Sequence, residues 1–209
     1  MCSSASRHGA TLPQGPARKT WQFCCLRGRP IPAIMPAMDA HYDMVMRARQ
    51  SLAAAPPRLY FAYSTILDRA AFEEWRGQHG YGFFSPPAGQ IAEAHDVALV
   101  YDFPSRWWGG RVAGLEDKPG AGVWGLLFEI AGVDWPIIQH KEGAITSMCA
   151  EREVRVTAGG REVTALAFTT RAERRSLEGP KSARFTEALV RGAQSANLPP
   201  SWIDTLRAG

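Results

Sequence analysis

No stretch of this 209-residue chain approaches the ~20 consecutive apolar residues that a helix needs to cross a bilayer, so no membrane span is expected. Cysteine is scarce. Cys2, Cys24, Cys25 and Cys149 form no pair of CxxC units and have no histidine spacing that would build a zinc site, so no metal is expected. Three of the four lie in the first 25 residues, which leaves Cys149 without a disulfide partner in the body of the chain. A reducing, cytoplasmic setting is therefore expected. Acidic residues are missing before Asp39, where Arg7, Arg18, Lys19, Arg27 and Arg29 stand among Ser, Gly and Pro with little apolar periodicity. The formal charge of +4 comes from this end: residues 1–57 hold seven Lys/Arg against two Asp/Glu, and the remainder holds 17 against 18. A nearly neutral body with mixed charges lacks the one-sided positive face that nucleic-acid binding requires. No internal repeat is present.

Residues 1–38 are expected to be a disordered extension or a start upstream of the natural one, with Met35, Met38 and Met44 as later starts. The prolines at 13, 16, 30, 32 and 36 oppose the amphipathic helix of a transit peptide. From Asp39 to about Ala54 the Ala, Met, Arg and Leu content favours a helix, which Pro56 and Pro57 end, so that 39–57 reads as helix and linker. The domain proper is expected over 58–206. It opens with the apolar run Leu59 to Tyr63, the polar turn Ser64-Thr65, and a helix from Leu67 to about Gln78. Further strands are expected at 97–101, 110–115, 123–130, 151–157 and 163–168, with Ala158-Gly159-Gly160 as a hairpin turn, and a final helix at 182–196. Mostly consecutive strands with a few helices predict an α+β fold with a closed or strongly curled sheet.

Six short motifs follow one another in this frame: Tyr60-Phe61-Ala62-Tyr63-Ser64-Thr65-Ile66-Leu67, Trp107-Trp108-Gly109-Gly110, Gly122-Val123-Trp124-Gly125, Lys141-Glu142-Gly143, Ser182-Ala183-Arg184-Phe185, and Gly192-Ala193 with Leu198-Pro199. Their order and spacing resemble the γ-glutamylcyclotransferases, which carry YFAYGSNL, W-x-G-G, VWG, an EG pair, S-x-x-Y, G-A and L-P. The W-x-G-G and VWG segments place the resemblance nearer the branch acting on γ-glutamyl dipeptides. The resemblance implies a mixed β-barrel with flanking helices and a pocket beside the first strand. It also implies a metal-independent, cofactor-free enzyme of the lyase or acyltransferase type, a monomer or homodimer, converting a small γ-glutamyl compound to 5-oxoproline and a free amine or amino acid.

That chemistry needs few groups. In a γ-glutamyl amide the substrate's own α-amine can reach the γ-carbonyl and close a five-membered ring, so the protein supplies folding of the arm and proton movement. One carboxylate serves, taking the proton from the amine and handing it to the leaving nitrogen. The resemblance assigns this role to Glu142, which stands between Ile137-Ile138 and Ala144-Ile145. Without it, a solvent-exposed helix-end carboxylate would be the ordinary reading, and Glu129 is the other carboxylate inside an apolar run. Tyr60, Phe61, Ala62, Tyr63, Ser64, Thr65 and Phe185 fall on the family's substrate-binding positions. The Ser64-Thr65 turn reads either as an anion cradle or as an ordinary capped helix start, and Trp107 and Trp108 read as barrel-wall packing.

Five positions depart from the family pattern. Ser64, Thr65 and Ile66 replace Gly, Ser and Asn, Cys149 stands where a tyrosine is expected, and Phe185 replaces the tyrosine of S-x-x-Y. If the turn needs a positive φ at the glycine position, Ser64 is strained by about 1–2 kcal/mol; otherwise the turn is shaped differently. The lost hydroxyls point to a leaving group more apolar than usual. A non-catalytic metabolite-binding module and an amide hydrolase using Glu142 to activate water are the competing readings.

Overall fold

The computed structural model describes residues 41–208; the expectations for residues 1–40, including three of the cysteines, lie outside it. Five strands close into a barrel: β1 (Arg58–Ala62), β2 (Gln90–Ser105), β3 (Gly110–Ile130), β4 (Cys149–Ala158) and β5 (Arg161–Thr170). The barrel order is β1-β3-β2-β4-β5. All neighbours are antiparallel except β1 and β5, which close the barrel in parallel at Tyr60 opposite Leu166. The α+β mixed barrel expected from the sequence is thus observed.

Alternation along β1 divides the core in two. Phe61 and Tyr63 point into the barrel with Val123, Val156 and Ala167, while Tyr60 and Ala62 face an outer layer that includes Phe128, Trp135, Ile138 and Phe168. The outer layer is built by five helices: α1 (Tyr42–Ser51), α2 (Arg69–Gln78), α3 (Trp135–Lys141), α4 (Ala183–Ser195) and α5 (Pro200–Ala208). Helix α1 joins this layer, with Val45 fully buried and Arg49 paired to Asp134 at 2.6 Å.

Three expectations about elements change. Strands 110–115 and 123–130 are one strand, β3, because the Asp117–Gly122 stretch bulges out opposite Asp96 instead of turning back. Asp96, at φ 57°, accepts the Gly120 amide at 2.9 Å and pins this bulge. The chain after Leu198-Pro199 forms α5, with Pro200 at its first helical position, where a missing amide costs nothing. The helix after β1 begins only at Arg69, after a single 3-10 turn at Thr65–Leu67.

Two glycines of the motifs are needed for close approach. A Cβ on Gly125 of β3 would sit 2.2 Å from the Ala62 carbonyl oxygen of β1. One on Gly192 of α4 would sit 2.6 Å from the Asp68 amide, so this helix seats against the turn that follows β1.

Candidate active site

The site is assembled where the end of β1, the end of α3 and the start of β4 meet. Burial on both faces makes β1 rigid, and its last residues feed the 3-10 turn. Ser64 adopts φ −115° and ψ −154°, an extended conformation open to any residue, so the serine in place of glycine carries no left-handed strain. Neither Ser64 nor Thr65 caps α2. Asp68 does, accepting the Ala71 amide at 3.2 Å. Within the turn Leu67 N–H bonds to the Ser64 carbonyl, which leaves the Thr65 and Ile66 amides without a partner inside it. Arg191 of α4 holds the same Asp68 at 3.0 Å and so locks turn, cap and helix together.

Glu142 is the C-cap that follows α3, and Gly143 after it, at φ 76°, lets the chain turn toward β4. Its carboxylate faces β1 instead of solvent. Ser64 Oγ donates to Glu142 Oε2 at 3.4 Å, a long bond, and the other oxygen, Oε1, is buried with no hydrogen-bond partner. Burial, and next the charge of Glu142, push the Tyr60 phenol well above its ordinary value. The phenol stays protonated beside the carboxylate. Tyr63 is raised likewise by burial, then by the nearby thiol of Cys149 and by Glu142, and it donates to the Phe168 carbonyl. Cys149 at the start of β4 is pushed up to about 12 by burial and by the charges of Glu142 and Asp102. A thiol so held is protonated at neutral pH and is no nucleophile.

The expected residues therefore divide. Tyr60, Tyr63 and Ser64 gather around Glu142, and Thr65 joins them through Lys141, whose ammonium lies 3.2 Å from Thr65 Oγ1. Phe61 and Ala62 are fully buried, and Phe61 faces the barrel interior. Phe185, on α4, is engaged by Trp108 and Tyr101 at 5.4 and 6.2 Å between ring centres. Glu129 is exposed. Among the described residues no three His, Cys, Asp or Glu side chains form a metal-ligand cluster.

A cleft of about 570 Å³ opens beside this cluster, lined by Thr65, Lys141 and Gly143 on one side and by Trp107, Trp108 and Arg184 on the other. Trp107 corrects the expectation of wall packing: it is 73% exposed, at the cleft rim, because the β2–β3 connection carries it outward. Asp68, Lys141, Arg184 and Arg191 carry no expected role from the sequence, although Lys141 and Arg184 stand inside two of the motifs and Asp68 is a cap-type residue just before a helical run.

Residues 122–206 match the model of the AIG2-like family. A solved γ-glutamyl cyclotransferase superposes with a TM-score of 0.60 at 22% identity, over 73% of this chain and 87% of that one. The fold is that of the γ-glutamylcyclotransferases. A human protein described as uncharacterized superposes at 0.61 with 23% identity, over 73% of this chain and 88% of that one. YkqA from Bacillus subtilis superposes at 0.62 with 22% identity, over 78% of this chain and 57% of that one. In sequence, a human γ-glutamylcyclotransferase is 27% identical over 106 residues, 50% of this chain and 54% of that protein, so the match spans about half the length of the curated relative. The resemblance read from the six motifs is borne out. The AIG2-like segment contains Glu142, Cys149 and Phe185, whereas Tyr60 to Thr65 lie before it in the γ-glutamylcyclotransferase-like barrel. No helix among the described residues is long and apolar enough to cross a membrane.

Proposed function

We propose that the protein is a γ-glutamylcyclotransferase, with Glu142 as the proton shuttle. The observation that carries this reading is the Glu142 carboxylate itself, which interacts with the protonated Tyr60 phenol and keeps one oxygen, Oε1, buried with no donor at hydrogen-bond geometry. A buried acceptor left without a donor costs about 1–3 kcal/mol, and a substrate amine supplies the missing donor.

The γ-glutamyl arm folds so that its α-amine nitrogen approaches its own γ-carbonyl carbon. Holding that near-attack geometry contributes on the order of 7–11 kcal/mol relative to an unoriented encounter. As the N–C bond forms, an amine proton passes to Glu142. The oxyanion that develops on the γ-carbonyl is stabilised by the Thr65 and Ile66 amides. Glu142 then delivers its proton to the leaving nitrogen as the original C–N bond breaks, releasing 5-oxoproline and a free amine or amino acid. Tyr60, kept protonated by its surroundings, orients the carboxylate throughout. Neither a protein nucleophile nor a metal or other cofactor enters the sequence of steps. The proposal includes action in the cytoplasm as a monomer or homodimer.

The test is a panel of γ-glutamyl amino acids and amines analysed for products. Release of 5-oxoproline in equal amount to the free amine is expected. Glutamate in its place would mean that Glu142 activates water, and binding without either product would mean that the barrel serves as a metabolite-binding module.

A further inference from the structure

The cleft beside Glu142 is larger than the γ-glutamyl group needs, and its outer half has a distinct character. Three tryptophans, Trp75 of α2 with Trp107 and Trp108 of the β2–β3 connection, line it together with Met148. Trp107 and Met148 are two of the large apolar residues left exposed, at 73% and 39%. An indole so exposed at a cleft rim, with a second apolar side chain exposed in the same cleft, is surface that a ligand can cover. The charged lining is equally one-sided: Lys141, Arg184 and Arg191 stand against Glu74 alone. Arg184 places its guanidinium over the Trp107 and Trp108 rings at 5.7 and 4.8 Å, and one of its five donors goes to the Trp107 carbonyl at 2.7 Å. Lys141, next to Glu142, is turned inward to Thr65, and Arg191 is held by Asp68, so the outer cation with donors to spare is Arg184.

A leaving group that satisfies both features has a flat apolar ring and a carboxylate. Resting on the cyclotransferase reading above, we infer that the cleft is the leaving-group subsite and selects γ-glutamyl conjugates of aromatic amino acids. The ring packs against Trp107 and Trp108, and the carboxylate of the departing amino acid is held by Arg184. An alanine leaving group reaches Arg184 without covering the indoles, and an aromatic amine covers the indoles without meeting the charge.

The experiment measures 5-oxoproline release from γ-glutamyl-phenylalanine, γ-glutamyl-alanine and γ-glutamyl-phenethylamide by the wild-type protein and by Trp107→Ala and Arg184→Gln. The phenylalanine conjugate is expected to exceed each of the other two at least tenfold in kcat/KM. Trp107→Ala should bring the ratio of phenylalanine to alanine conjugate to within about threefold. Arg184→Gln should lower the ratio of phenylalanine conjugate to phenethylamide by a similar factor. Circular dichroism of both variants separates a binding effect from a folding one. Release from the alanine conjugate at the same rate as from the phenylalanine conjugate, or a preference untouched by Trp107→Ala in a folded variant, overturns the inference while the cyclotransferase reading stands. No 5-oxoproline from any conjugate overturns that reading and the inference with it.

Discussion

The two faces of β1 do different work although one residue separates them. Phe61 looks into a barrel filled by Val, Ala and Leu, where the requirement is volume. Tyr60 looks outward at aromatic rings and at a carboxylate, where the requirement is a particular group in a particular protonation state. The barrel interior fixes where the end of β1 lies, and the outer layer uses that end to hold Glu142, Ser64 and Lys141 in register. Rigidity is built on one face and chemistry on the other.

Breaking the shared strand should have the largest effect. Gly125→Ala drives a methyl into the Ala62 carbonyl from β3 and is expected to destabilise by about 3 kcal/mol or more, read as a large drop in Tm and in soluble yield. A variant that melts like wild type would show that β1 and β3 are not so closely fitted.

Thr65→Pro touches only the chemical side. Ser64 already has the extended conformation that a following proline favours, and the Thr65 amide has no partner inside its turn. The protein should therefore fold, with Tm within a few degrees, and lose at least tenfold in kcat through the missing amide donor. Full activity in a well-folded Thr65→Pro protein would place the oxyanion elsewhere.

Ile66→Asn sharpens the contrast from the opposite direction. The family residue would seem restorative, but Ile66 is 5% exposed and packed in the outer core, so the amide would be buried among apolar groups. A loss of about 1–3 kcal/mol is expected in chemical denaturation. A gain in stability would mean that the position turns toward the site.

The smallest effect is in pH dependence. Cys149 has a folded value raised to about 12 from an ordinary 9.0, so its contribution to stability is complete below pH ~9 and is lost as pH rises toward 12. Between pH 8 and 10.5 the wild-type protein should lose on the order of 1–2 kcal/mol more than Cys149→Ala does, measured by urea denaturation at each pH. Tyr60 and Tyr63, also raised by burial, begin to cost stability near pH 10 in both proteins, so the difference between the two profiles below pH 10 isolates the thiol. Parallel profiles would show the thiol to be solvated.

Much of this architecture was legible in the residues, for reasons that differ between the two regions. The barrel strands announce themselves through apolar runs and turn residues, and the closed sheet follows from their number and order. Strand β3 misled because Pro119 and Gly120 look like a turn, whereas the bulge opposite Asp96 absorbs them. Helix α5 was hidden because Pro199-Pro200 reads as a stop, although proline is equally suited to a helix start. In the site, Glu142 was reached only through the order of the motifs; alone, a Glu between Lys141 and Gly143 looks solvent-facing. Asp68, Arg184 and Arg191 matter through contacts between α4 and distant segments, the turn after β1 and the β2–β3 connection, and sequence spacing carries no trace of such contacts. Trp107 was misjudged because tryptophan is ordinarily buried, and its exposure became visible only with the cleft.

The central claim is that Glu142 moves the proton, and the Glu142→Gln variant tests it most directly. The amide keeps the shape and the Ser64 contact but cannot shuttle a proton, so kcat for 5-oxoproline release should fall by ~10²–10⁴-fold. Tm should stay within a few degrees of wild type. A folded Glu142→Gln protein that retains more than a tenth of the wild-type kcat on every accepted substrate would contradict the account.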